Sequence, residues 1–100
     1  MDKKNNPPFH AEAIQKINEK HKGNDATTQA NRLLEALQLL FSLTTQDLRH
    51  ELDIMHPAGR VKELRARGFD IQTLWDNYPT ACGKKHRMAR YVYADKIERA

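Results

Sequence analysis

The sequence predicts a small α+β fold, mainly helical. Three observations carry this. Apolar residues recur at helical spacing through the first part of the chain; residues 43–68 read as two short helices joined by a tight turn; after Gly68 the period switches to the alternation of β-strands. One hundred residues suit one domain with a single modest core.

Residues 1–8 are polar and charged and close on Pro7-Pro8, so they are expected to be disordered. Residues 9–22 form an accessory amphipathic helix in this reading, with Phe9, Ala13, Ile14 and Ile17 at helical spacing. The segment Lys22-Gly23-Asn24-Asp25 breaks it, and the main domain is expected over residues 26–94, with a tail at 95–100. A stronger helix runs from about Thr27 to Leu40, its stripe of Ala30, Leu33, Leu34, Leu37, Leu40 and Phe41 wide enough to be core.

The next helix has clear start signals. Thr44 is the expected N-cap, Asp47 at N3 completes a capping box, and Leu43 and Leu48 take the hydrophobic-staple positions. Leu48 and Leu52 supply its buried face, and the helix is expected to end near Asp53. Ile54 and Met55 form the turn, with Ile54 buried between the helices. Pro57 suits N1 of the following helix, because its missing N–H has no helical partner there anyway. His56 is then the N-cap. Val61 and Leu64, with Ala58 beside them, are expected to face the core, and Gly59, Arg60, Glu63, Ala66 and Arg67 the opposite side. Gly68 is placed to stop the helix at C′.

Phe69-Asp70-Ile71-Gln72-Thr73 alternates and, with Leu74-Trp75, reads as a strand; residues 76–86 read as a loop, and Arg87 to Tyr93 as the return strand. A hairpin directly behind a helix-turn-helix pair makes a winged helix-turn-helix: a three-helix core plus a two-stranded β-hairpin wing, here with an extra N-terminal helix.

Charge is unevenly placed. Residues 1–53 carry seven Lys/Arg and eight Asp/Glu, whereas residues 54–93 carry eight Lys/Arg and three Asp/Glu. The positive charge coincides with the second helix of the pair and the hairpin, which suggests a polyanionic partner rather than a merely solvated basic surface. No apolar run is long enough to cross a membrane, and the basic N-terminus lacks the apolar region of a secretory signal. Cys82 is the sole cysteine, so no internal disulfide forms, and a cytoplasmic setting in a bacterial host cell is expected.

Catalysis and metal binding find little support. The histidines at 10, 21, 50, 56 and 86 lack the close spacing of a zinc motif. Cys82 lies near His86, but no further ligand or orienting carboxylate joins them. The four glycines stand singly, so no phosphate-cradling loop is present. No enzyme activity and no cofactor are expected.

The pattern Leu-Thr-Thr-x-Asp-Leu-Arg-x-Glu-Leu-x-Ile-Met-x-Pro-Ala-x-Arg-Val-x-Glu-Leu-Arg-x-Arg-Gly-Phe-Asp-Ile, followed by Lys-x-His-Arg-x-Ala-Arg-Tyr-Val, resembles the small helix-turn-helix proteins of bacteriophages and prophages. The resemblance covers about residues 28–93 and implies a winged-helix fold and DNA binding. The family pattern has Ser where this chain has His56 and Ala where it has Gly59. The first change weakens the cap. The second weakens the helix, since Gly costs about 1 kcal/mol against Ala.

The expected partner is double-stranded DNA, with the chain acting as a transcriptional regulator or architectural factor. Arg60 is the candidate for reading a base, as Arg pairs bidentately with guanine; a phosphate contact is the equal rival. Lys62 and Arg67 are phosphate ligands or solvated charges. Gly59 lets the helix backbone approach DNA, and His56 is either a phosphate contact or a plain surface histidine. Thr44, Thr45 and Gln46 begin a helix whose N–H groups favour a phosphate, although capping alone explains Thr44. In the wing, Lys84, Lys85, His86 and Arg87 enter the minor groove or follow the backbone, against the rival of a solvated loop. Trp75, Tyr91 and Tyr93 are either stacking residues or, the preferred reading, sheet and core packing. Arg90, mid-strand, is expected to pair with an acidic neighbour. Two alternatives remain: a winged-helix module that docks proteins without binding DNA, and a homodimer formed through Phe9, Ile14 and Ile17 of the 9–21 helix, whose rival is that these residues pad the core of one chain.

Overall fold

The computed structural model describes residues 8–79 and 81–94. Of the disordered start expected over residues 1–8, residues 1–7 lie outside the described residues, as does the tail expected at 95–100, whereas Pro8 opens a helix instead. Seven elements follow in order: α1 (Pro8–Lys20), α2 (Ala26–Leu40), β1 (Ser42–Thr44), α3 (Thr45–His50), α4 (Pro57–Ala66), β2 (Ile71–Pro79) and β3 (Lys85–Tyr93). This is the winged-helix architecture the sequence predicts, with one strand more. β1 forms an antiparallel edge in a sheet of order β1-β3-β2, with Leu43 opposite Tyr91. Three residues between a helix and a capping signal are too few to show alternation, which is why the strand is invisible in the sequence.

The core is aliphatic. Leu33 and Leu37 of α2, Leu43 of β1, Leu48 and Leu52 of the α3 region, Ile54 of the turn, and Val61 and Leu64 of α4 are all buried. Tyr91 and Tyr93 close it from the sheet, matching the packing reading of those residues. Ile14 and Ile17 of α1 belong to the same cluster, so these two pad the core of their own chain rather than offer a dimer surface, while the side chain of Phe9, the third residue of that expectation, lies outside the described residues. Phe41, expected in the stripe, is exposed instead: it takes a left-handed conformation at the C-cap of α2, φ 68°, which turns it off the helix face.

Local chemistry explains the ends of the helices. Thr44 Oγ1 accepts from the Asp47 N–H at 3.1 Å, and Asp47 Oδ2 accepts from the Thr44 N–H at 3.0 Å, the reciprocal pairing of a capping box. Asp25 caps α2 by accepting from the Thr28 N–H, and this bonding with Thr28, the hydroxyl first, holds its carboxyl below the usual range. Pro57 opens α4. At the other end, Gly68 N–H donates to Arg65 O and Phe69 N–H to Leu64 O, a Schellman stop that uses the positive φ of Gly68.

The helix expected to reach Asp53 stops at His50. Asp53 adopts a left-handed conformation, φ 54°, and Ile54 N–H turns back to Leu48 O. A buried side chain holds this turn. Arg32 of α2 is only 4% exposed, and its guanidinium donates to Leu52 O at 2.8 Å and Asp53 O at 3.3 Å. The same group donates to His21 O at 2.6 Å and Gly23 O at 3.0 Å, at the end of α1. One guanidinium thus ties the α1–α2 connection to the turn between α3 and α4.

Candidate nucleic-acid interface

The hairpin is longer than expected. The stretch 76–86, read as a loop, is mostly paired: Trp75 faces Ala89, Asp76 faces Met88, Asn77 faces Arg87, and pairing continues to Pro79 opposite Lys85. The misleading signals were Asp76-Asn77 and Tyr78-Pro79, which resemble turns. At the far end of an edge strand a proline costs no ladder bond. Lys85, His86 and Arg87 therefore stand on a strand, with Gly83 and Lys84 at the turn.

Directly paired residues share a sheet face. The face toward the helices carries Ile71, Thr73 and Trp75 on β2, and Tyr93, Tyr91, Ala89 and Arg87 on β3. Near the base these residues are buried; farther out the helices no longer cover them. Trp75 is 57% exposed, and the Arg87 guanidinium lies 4.8 Å from its ring centre. Of the expected core or sheet-face packing of Trp75, the sheet-face contact is present but the core is not: the hairpin carries the ring past the end of the helical layer. On the opposite face Arg90 pairs with Asp76 at 3.7 Å and donates to Ser42 Oγ at 2.7 Å, as expected for a mid-strand cation.

Between the outer hairpin and the helices lies a groove of about 490 Å³. Helix α3 lines it with Thr45, Gln46, Arg49 and His50, and α4 with Pro57 and Ala58. The hairpin contributes Trp75 and Arg87 over a floor of Ala89 and Tyr91, and the intervening His86 and Met88 of β3 also border it. Among the described residues no carboxylate lines it. Ala58 is exposed to this groove, not packed into the core as expected; Pro57 takes the core position instead. The reading from sequence missed Arg49 and His50. The signal was present, since each follows Thr45 or Gln46 by four residues, on the side of α3 opposite Leu48.

Helix α4 buries Pro57, Val61 and Leu64. Lys62, one turn after Ala58, is exposed beside the groove. Arg65 faces the hairpin, donating to Ile71 O and Thr73 Oγ1, each at 2.7 Å, and so covers the edge of β2. Arg60 is placed otherwise than the sequence suggests. Its side chain is 17% exposed and pairs with Glu63 at 2.9 Å, with Nε buried and without a hydrogen-bond partner. The outward stripe is instead Gly59, Lys62, Glu63 and Ala66. A Cβ added at Gly59 would meet only His56 Cβ at 3.9 Å, so the glycine leaves a shallow, open place on that stripe. His56 is exposed and makes no side-chain cap bond. Arg67 lies over the Phe69 ring at 5.6 Å. Thr44 is buried in its capping box, whereas Thr45 donates to Ala89 O at 3.3 Å and tethers α3 to β3.

Among the described residues no group of three His, Cys, Asp or Glu side chains gathers to hold a metal ion, and no helix is long and apolar enough to cross a membrane. Cys82 is exposed near the hairpin tip.

A family model for the winged helix-turn-helix domain matches residues 28–96. The chain belongs to that family, and membership points to DNA binding. Helix α1 lies ahead of the matched region. No curated protein and no solved structure matches the chain.

Proposed function

We propose that the chain binds double-stranded DNA sequence-specifically and without catalysis, as a regulator or architectural factor of the kind its motif resembles in phages and prophages. The observation that carries this reading is the groove between α3, the start of α4 and the hairpin, which bears Arg49, His50 and Arg87 and, among the described residues, no carboxylate. Helix α4 enters the major groove with its outward stripe, where Gly59 and Ala66 permit close approach and Lys62 meets the polyanion. Arg49 of α3 and Lys84, Lys85 and Arg87 of the hairpin follow the phosphates on either side. Base reading falls to the first turns of α4, with Arg60 able to take part only after leaving Glu63. The domain division proposed is one winged-helix domain with α1 as an accessory element.

Selection from a random duplex pool tests this. Enrichment of one short motif is the expected result; recovery of unrelated sequences, or no recovery at low salt, overturns the specific reading. The rival, a module that docks proteins, is served by the exposed Trp75 and by Glu63 on the outward stripe, and it predicts that no duplex is retained.

A further inference from the structure

We infer that the groove beside Trp75, part of the surface proposed to meet duplex DNA, is also a seat for a single unpaired nucleotide. The inference rests on the DNA-binding reading for the origin of the strand, but its own argument is local. An indole that keeps more than half its exposure at the mouth of a cationic groove is an unusual use of the largest ring in the chain. Burial is not what holds it there, since the helical layer ends below it.

The room and the chemistry match one nucleotide. The groove measures about 490 Å³, within the roughly 300–1,000 Å³ of clefts that enclose small ligands, and it is too small for a base pair with both its strands. Ala58, Ala89 and the indole supply an apolar wall for the faces of a planar base. Arg49 and His50 on one bank, with Arg87 on the other, supply donors for a phosphate. Arg87 already stacks on the indole at 4.8 Å, so its guanidinium is oriented by the ring and its outward N–H groups are left for an anion. Stacking on an exposed aromatic serves an unpaired base, because a base within a duplex has both faces covered by its neighbours. A base swung out of the strand running past α3 and the hairpin reaches the groove with its own phosphate attached.

Two sources supply such a group: a bulged or flipped nucleotide within DNA, and a free mononucleotide. Trp75 is the only tryptophan, so intrinsic fluorescence reports on this site alone. The full chain is titrated at low salt with a blunt duplex, with the same duplex carrying a two-adenine bulge, and with dAMP. Affinities for the two duplexes are read from the anisotropy of labelled DNA. The bulged duplex is expected to bind about tenfold tighter than the blunt one and to quench Trp75 to saturation. Trp75→Phe keeps the ratio of the two affinities, and Trp75→Leu brings it to about one. Saturable quenching by dAMP with a ratio near one assigns the seat to free nucleotides. Equal duplex affinities together with no response to dAMP overturn the seat while leaving duplex binding intact, as does a preference for the bulge that survives Trp75→Leu. Failure of every DNA to bind, again with no response to dAMP, overturns the seat and the functional reading together.

Discussion

Replacing Arg32 is the sharpest test of how the turn between α3 and α4 is held. Its guanidinium serves four backbone carbonyls: His21, Gly23, Leu52 and Asp53. Singly, hydrogen bonds from a charged donor contribute about 1.5–3 kcal/mol each, but their sum is not the cost. Only the bond to Leu52 is fully buried, so that carbonyl loses its partner outright, at about 2 kcal/mol. Water reaches the other three more easily, and about 0.5 kcal/mol each is a fair allowance. Working the other way, removal relieves a desolvated cation that has no carboxylate among these partners. Arg32→Ala, which also deletes the packed stem, is therefore expected to lose about 3 kcal/mol; Arg32→Met, which keeps most of the stem, about 2 kcal/mol. Arg32→Lys should rescue little, because one ammonium does not span carbonyls on both sides. Urea titration followed by circular dichroism measures these losses. A thermal midpoint lowered by at least about 10 °C in Arg32→Ala is the matching expectation for a domain of this size. A loss below about 1 kcal/mol would refute the staple and mean that the turn holds itself.

Two further outcomes follow from the site and its supports. Glu63→Ala removes the carboxylate from the outward stripe and releases Arg60, so duplex affinity should rise about fivefold at low salt, with the gain shrinking as salt is added; weaker binding would show that Glu63 itself contacts a base. Glu35 is held below its usual carboxylate range, first by its hydrogen bond to His21 at 2.7 Å, which outweighs the opposing effect of burial, and then by Lys20. A depressed folded-state value stabilises the fold above the ordinary value of 4.5, and that stability disappears as pH falls through the folded value. Glu35→Gln should therefore be less stable than the parent at neutral pH, with the difference closing in acid; a constant difference in urea midpoints across pH would remove the His21 and Lys20 pairing as its cause.

The parts of the fold that are local in sequence are legible in it. The Thr44–Asp47 box, the proline at the start of α4 and the glycine at its stop are each decided within about one helical turn, so residue type and spacing suffice. The buried stripes were readable for the same reason, except at Phe41, where a left-handed cap redirects one side chain. What escaped depends on contacts distant in the chain. Arg32 looks like any helix-surface cation until the turn twenty residues later is folded against it. The long hairpin carries no alternation in its outer half, because neither face there is covered, and β1 is defined only by its partner. Of the candidate site, the hairpin cations and Lys62 stood out by charge alone. The opposite errors at Ala58 and Arg60 share one cause: Pro57 takes the core position on α4, which leaves Ala58 to the groove and brings Arg60, three residues after Pro57, partly inward.

The salt dependence of duplex binding tests the central claim most directly. Five cations stand at the groove and the hairpin tip: Arg49, Lys62, Lys84, Lys85 and Arg87. If each displaces one counterion, the slope of log affinity against log salt is about −4 to −5, a loss of several hundred-fold between about 50 and 200 mM. Anisotropy of a labelled duplex carrying the selected motif gives this slope. A value in that range, reduced by about one unit in Lys62→Ala, is the result the account predicts. Binding that is absent at low salt, or whose affinity does not change with salt, contradicts it.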